Sequence, residues 1–283
     1  IAFVQALGND DAADINEMAS DRLLLSGTNS EVTVPSGLRH ELLNLTAVPG
    51  TISQGDILIT ASEVVVENGA EISIPNYSSQ TSGSIHLKVE GLIVLDGVSS
   101  LDPIRFSRIG IAAFSEGGGG DVNVTGKRLL INDGASLSSI SAGSGNGGNV
   151  HLTITDSIDL TGLGPTSAGV LRASSTIDAS TVGQGNAGGI TLRTTSLLID
   201  NGNITSTSLA GGNAGIVNIE AESVEMLTSQ PGFTAELTSA AKANNPLQIA
   251  LNLPLTPTGN AGSLSLQTSR LHLQRDAIIA VEN

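Results

Sequence analysis

The chain of 283 residues contains no cysteine and no tryptophan, with one tyrosine and four phenylalanines. Without cysteine there is no disulfide framework and no thiolate metal site, though this leaves the compartment open. With so few aromatic rings, a core must be filled by thin aliphatic side chains, which favours a narrow core repeated many times. Basic residues are also scarce: 12 Lys and Arg stand against 27 Asp and Glu, a net charge of −15. That balance offers no electrostatic footprint for nucleic acid or an anionic membrane. No apolar run approaches the roughly 18 residues of a membrane-spanning helix, so no transmembrane segment is expected. The opening IAFVQALGND lacks a basic start and an apolar stretch, and the chain stops at IIAVEN; we read it as an internal piece of a longer protein.

What is abundant is glycine, 34 residues, and it recurs with a rule. A glycine followed by alternating aliphatics appears at Gly55 (GDILI), Gly83 (GSIHL), Gly120 (GDVNV), Gly148 (GNVHL), Gly188 (GGITL), Gly215 (GIVNI) and Gly262 (GSLSL). The unit is about 28 residues, sometimes lengthened by an insertion, within the range of solenoid repeats. Fourteen residues after the first five glycines come Gly69, Gly97, Gly134, Gly162 and Gly202. A third short run follows, as in AEISI from Ala70 and NITST from Asn203. Each unit thus reads as three short strands punctuated by Gly, Asn, Asp and Ser. A degraded unit precedes these, with Ala13 and Gly27 at the same spacing and Glu17 at an otherwise aliphatic position.

Such units cannot close a core alone, but stacked they pair in parallel at about 4.8 Å per coil. The predicted fold is all-β: a right-handed parallel β-helix of about seven to eight coils. Its hand follows from the general right-handedness of parallel crossovers. The β-helix is placed over residues 55–283, with 1–54 holding degraded N-terminal coils. Insertions are placed near 101–119, 163–174 and 229–259. The corner before the second glycine carries Asn68, Asp96, Asp133, Thr161 and Asn201, and is expected to form one polar ladder.

The units GNGGNVHLTITDSIDLTG and GNAGGITLRTTSLLIDNGNITSTSLAGGNAG are similar to the repeats of filamentous haemagglutinin-like exoproteins of two-partner secretion systems, notably cyanobacterial forms with recurrent G-N-A-G. The resemblance implies a secreted or cell-surface β-helix, exported through a dedicated outer-membrane transporter and often serving adhesion, with glycans or cell-surface receptors as partners. The repeat itself implies no cofactor and no enzymatic activity.

Several patterns invite chemistry. Gly183, Gly185 and Gly188 spell G-x-G-x-x-G, and Gly143, Gly145 and Gly148 repeat it. Dinucleotide binding needs a helix after the glycines, whereas GITLRTTSLLID is strand-like, so these are read as glycines of a turn between coils. Asp96 and Asp133, at corners of adjacent coils, form a weak calcium candidate against the reading of solvent-relieved repulsion. His86 and His151 share an outward position with Asn123 between them, too far apart for one zinc ion. His40 and His272 are isolated, and all four histidines are expected at the surface. A polysaccharide lyase or glycosidase is the alternative function. Its best residues are Arg105 and Arg108 beside Asp102 and Glu116, although a salt-bridged loop cap is the favoured reading. A non-catalytic carbohydrate-binding surface is the third possibility. Its loop candidates are Arg105, Phe106, Arg108, Phe114 and Phe233, on insertions that project from a rigid scaffold.

Overall fold

A computed structural model describes residues 2–7, 14–27, 36–43, 55–102, 105–165, 173–243, 248–249 and 253–283. Among them the chain alternates between two sheets as it ascends. In chain order the strands are β1 (Ala2–Leu7), β2 (Ile15–Ser26), β3 (Gly37–Leu43), β4 (Ile57–Glu67), β5 (Glu71–Asn76) and β6 (Ile85–Val89). Next come β7 (Leu92–Asp96), β8 (Arg108–Ala113), β9 (Val122–Asn132), β10 (Ser136–Ser141), β11 (Val150–Thr161) and β12 (Thr176–Asp178). The last six are β13 (Ile190–Asp200), β14 (Asn203–Ser208), β15 (Val217–Leu227), β16 (Ala235–Ala241), β17 (Leu264–Leu273) and β18 (Ala277–Glu282).

One sheet runs β1-β3-β5-β8-β10-β12-β14-β16-β18, and the other runs β2-β4-β6-β9-β11-β13-β15-β17 with β7 beside β4 and β9. The strand pairs within both sheets are parallel, as a stack of like coils requires. The protein is therefore a parallel β-helix whose second sheet has eight levels.

Register converts the sequence alternation into columns. In the long-strand sheet Ile15, Ile57, Ile85, Val122, Val150, Ile190, Val217 and Leu264 stack one above another. In the other sheet Leu38, Ile72, Ile109, Leu137, Ile177, Ile204, Leu237 and Ile279 do the same. Both columns belong to one core cluster. Among the described residues its buried hydrophobic members include no aromatic ring, because the two sheets face each other across a gap that branched aliphatics fill.

The structure refines the three-strand unit. The first two runs of a coil form one bent strand of ten to twelve residues, except in the third level, where the chain breaks between β6 and β7 at Glu90–Gly91. Strand β11 has 12 residues against 11 in β9 and β13, and the surplus residue is absorbed by a register shift between Thr153 and Ser157.

The insertions are also shorter than the sequence suggests. Within 101–119, residues Arg108–Ala113 are strand β8, the third run of its coil. Within 229–259, residues Ala235–Ala241 are β16. Residues 103–104, 166–172, 244–247 and 250–252 of the three insertions, and Ala13 of the degraded first unit, lie outside the described residues.

Candidate functional site

The corner before the second glycine is not a single ladder. Register places Glu67, Asp96, Asn132, Thr161 and Asp200 in one row, ending the long strands. Asn68, Asp133 and Asn201 occupy the next position, with φ of 56°, 50° and 58°. Asp96 and Thr161 have no counterpart there, since Gly97 and Gly162 follow them directly. In those two coils an extra strand residue offsets the missing turn residue, so the 14-residue spacing survives while the alignment slips by one. The shortened corners are closed instead by serines returning from the insertions. Ser107 Oγ donates to the Asp96 carbonyl at 2.6 Å and accepts from the Gly69 amide at 2.9 Å. Ser175 Oγ donates to the Thr161 carbonyl and accepts from the Gly134 amide.

Asp96 and Asp133 are thus offset by one residue. Burial pushes the Asp96 carboxyl above its ordinary value, Asp133 and Glu67 add to the rise, and a hydrogen bond from Asn132 opposes it. Among the described residues no group of three or more His, Cys, Asp or Glu converges to hold a metal ion. Because the folded state holds the Asp96 proton more tightly than the unfolded chain, stability is lost as pH rises from about 3.8 through the folded value. Asp96→Asn is therefore expected to raise the urea midpoint at pH 7, with the gain fading as pH falls below about 4.

Arg105 and Arg108 do not converge on a common site. Arg105 Nε donates to Asp102 Oδ2 at 3.0 Å, within its own loop. Arg108, on β8, reaches Glu71 Oε2 at 2.8 and 2.6 Å through Nε and Nη2. Glu71, on β5, is buried, and its other oxygen accepts from Arg39 Nη1 at 3.1 Å. One carboxylate is thereby gripped by guanidinium groups from the coils below and above. Phe106 pairs through its backbone with Val98 in an antiparallel bridge and lies beside Arg108 over a small cavity of about 40 Å³. Phe106, Arg105 and Arg108 serve the attachment of this insertion to the coil.

Phe114 follows β8 and is half-exposed. Its ring stacks on Tyr77, which follows β5, with centroids 4.8 Å apart and planes at 13°. Sequence reasoning overlooked Tyr77. The signal was its position: Asn76 pairs with Ala113, so the next residue of each coil falls on the same step. Phe233 lies in the turn before β16 and is partly exposed.

The glycine seam holds no helix and no phosphate cradle. Coils approach here so closely that a Cβ built on Gly188 would lie 1.8 Å from the Gly148 carbonyl oxygen, and one on Gly185 2.0 Å from that of Gly145. Neither has a positive φ, so the requirement is space and not a left-handed turn. Beside them runs an asparagine ladder: the amides of Asn186, Asn213 and Asn260 each donate at 2.9 Å to Oδ1 of Asn146, Asn186 and Asn213.

Three histidines follow expectation at the surface, with Asn123 between His86 and His151 in the stack. His40 does not. It lies two residues after inward-facing Leu38, so strand alternation turns it into the core, fully buried with neither ring nitrogen hydrogen-bonded to a described residue. Burial lowers its pKa despite Asp14 and Asp56, which pull it upward. As pH falls through about 6.5 the unfolded chain takes up a proton that the folded chain resists, so stability drops. His40→Leu is expected to remove that drop, measured as the thermal midpoint between pH 7.5 and 5.5.

Two shallow grooves follow the bend of the long strands, about 330 Å³ beside Lys88 and Lys127 and about 410 Å³ beside Arg193 and Glu220. In the second, Arg193 and Glu220 are mutually paired at 2.8 Å. Among the described residues no helix is long and apolar enough to cross a membrane. No protein-family model, curated protein or solved structure matches the chain.

Proposed function

We propose that this chain is the scaffold portion of a secreted or cell-surface exoprotein of the filamentous haemagglutinin type, passed outward by the outer-membrane transporter of a two-partner secretion system. Its role is to supply length and to present loops for adhesion. The observation that carries this reading is the disposition of the candidate catalytic groups. Arg105 and Arg108 are each committed to a structural carboxylate, Asp102 and Glu71, on different parts of the coil. A lyase or glycosidase needs such groups aimed together into a groove. The uninterrupted glycine and asparagine ladders favour the same role, since they are devices for stacking coils and carry no reactive group.

The test is made in the cell that produces the protein. Antibody labelling of intact cells and of the medium should find the chain outside, and deletion of the cognate transporter should retain it within. Retention of the label inside unmodified cells would overturn the proposal. A rise in reducing ends when the protein is incubated with polysaccharides, lost in Arg105→Ala, would replace it with the enzymatic reading.

A further inference from the structure

Of five aromatic residues in the chain, two stand outside the core as a stacked pair, Tyr77 at 40% and Phe114 at 47% exposure. Their centroid separation matches the spacing of adjacent coils, so the stack runs along the axis of the β-helix. The following coils place Ala142, Val182 and Leu209 on the same row, as the ladder of backbone bonds shows: Phe114 amide to Asn76, Ala142 to Ala113, Val182 to Ser141, Leu209 to Thr181. Ala142 is exposed and contributes only a methyl group. The face of Phe114 turned toward that step therefore carries no ring. Higher up, Leu209 is buried and its carbonyl accepts from Gln248 Nε2, so the stripe is not open there.

We propose that the step over Ala142, between Phe114 and Val182, is a binding slot for one pyranose ring of a neutral glycan. Two coil steps, about 9.6 Å, separate the flanking residues, which admits one saturated ring in contact on both sides. The coils cannot close on the gap, since a Cβ on Gly143 would already lie 1.8 Å from the Ser115 carbonyl oxygen. A pyranose presents an apolar C–H face to Phe114 and a hydroxyl edge to its surroundings. Ser115 directly follows Phe114 and Ser144 lies two residues after Ala142, and both are at least partly exposed.

Other occupants fit less well. A protein partner needs about 800 Å² on each side, far more than two half-exposed rings, a methyl group and a valine provide. An anionic sugar or lipid surface meets a chain of net charge −15 and the exposed Glu116 two residues from Phe114. The inference supplies a ligand for the display role proposed above, yet binding in solution does not depend on the route of export, so the two can fail separately.

The chain has one tyrosine and no tryptophan, so its near-ultraviolet emission reports Tyr77 alone. The purified protein is titrated with cellohexaose, xylohexaose and maltohexaose, and with trigalacturonate as the anionic control. A saturable change with at least one neutral hexasaccharide and none with trigalacturonate is expected. Phe114→Ala should weaken that binding at least tenfold. Ala142→Leu, an exposed substitution that fills the slot, should abolish it while the circular dichroism spectrum and thermal midpoint stay as in the unmodified protein. The proposal is overturned if no neutral hexasaccharide alters the emission, or if Ala142→Leu binds as the unmodified protein does. Self-association in sedimentation velocity that Phe114→Ala abolishes would overturn it in favour of a second copy as occupant.

Discussion

Gly188→Val is expected to lower the free energy of unfolding by about 3 kcal/mol, at the upper end of what overpacking costs. The new Cβ would be placed 1.8 Å from the Gly148 carbonyl oxygen and 2.6 Å from its carbon, both rigid backbone atoms. Relief requires the two coils to separate, and separation breaks neighbouring contacts. The Gly188 amide donates to the Ala179 carbonyl, while its own carbonyl accepts from Ser206 Oγ. Gly97→Ala makes the informative contrast. Its φ is +65° and nothing lies within 4 Å of a Cβ there, so only the backbone preference is lost, about 1 kcal/mol. Urea denaturation of both variants measures the pair. Equal losses would mean that the coils give way to the new side chain and that the seam is not sterically tight.

Glu71→Ala is the second large effect, a loss of about 2 kcal/mol. Breaking a buried ion pair costs roughly 3–5 kcal/mol. Here the Arg39 and Arg108 side chains are 22% and 30% exposed, and water screens part of what they lose. Among the described residues, removal of the carboxylate leaves Arg108 without its partner and Arg39 with Glu41 at 3.6 Å, while Arg39 Nε is already buried without a hydrogen bond. The triple replacement Arg39→Met, Glu71→Leu, Arg108→Met should recover most of the loss, because an apolar trio avoids the desolvation that the ionic one must overcome. If the triple variant is no more stable than Glu71→Ala, the charges contribute net stability and the argument from desolvation fails.

Much of the architecture was legible because a solenoid repeats its local rules. The period-two alternation in GNVHLTI and GGITLRT placed Val150, Leu152, Ile190 and Leu192 in the core, where each is buried. The paucity of aromatic rings was legible as a thin core for the same reason. The corner was misread because spacing alone cannot distinguish a residue added to a strand from one removed from the following turn. Asp96 and Thr161 looked like members of the Asn68 row and belong to the Glu67 row. Strand β8 was hidden in an insertion because RIGIAA puts Gly110 where the coils on either side carry Ser73 and Ser138, and a glycine inside a short run reads as a loop.

What the sequence determined by itself was the coil: its length, its inward positions and its glycine seam, all set by short-range periodicity and by the steric smallness of one residue type. Only the tertiary structure decided what each step of the stack brings together. The pairing of Tyr77 with Phe114 and the gripping of Glu71 by Arg39 and Arg108 join residues 37, 32 and 37 positions apart. Those separations depend on insertion lengths and bulges, whose effect on register appears only when one coil rests on the next. The burial of His40 has the same origin, since the inward side of its strand is defined by the neighbouring coils that close over it.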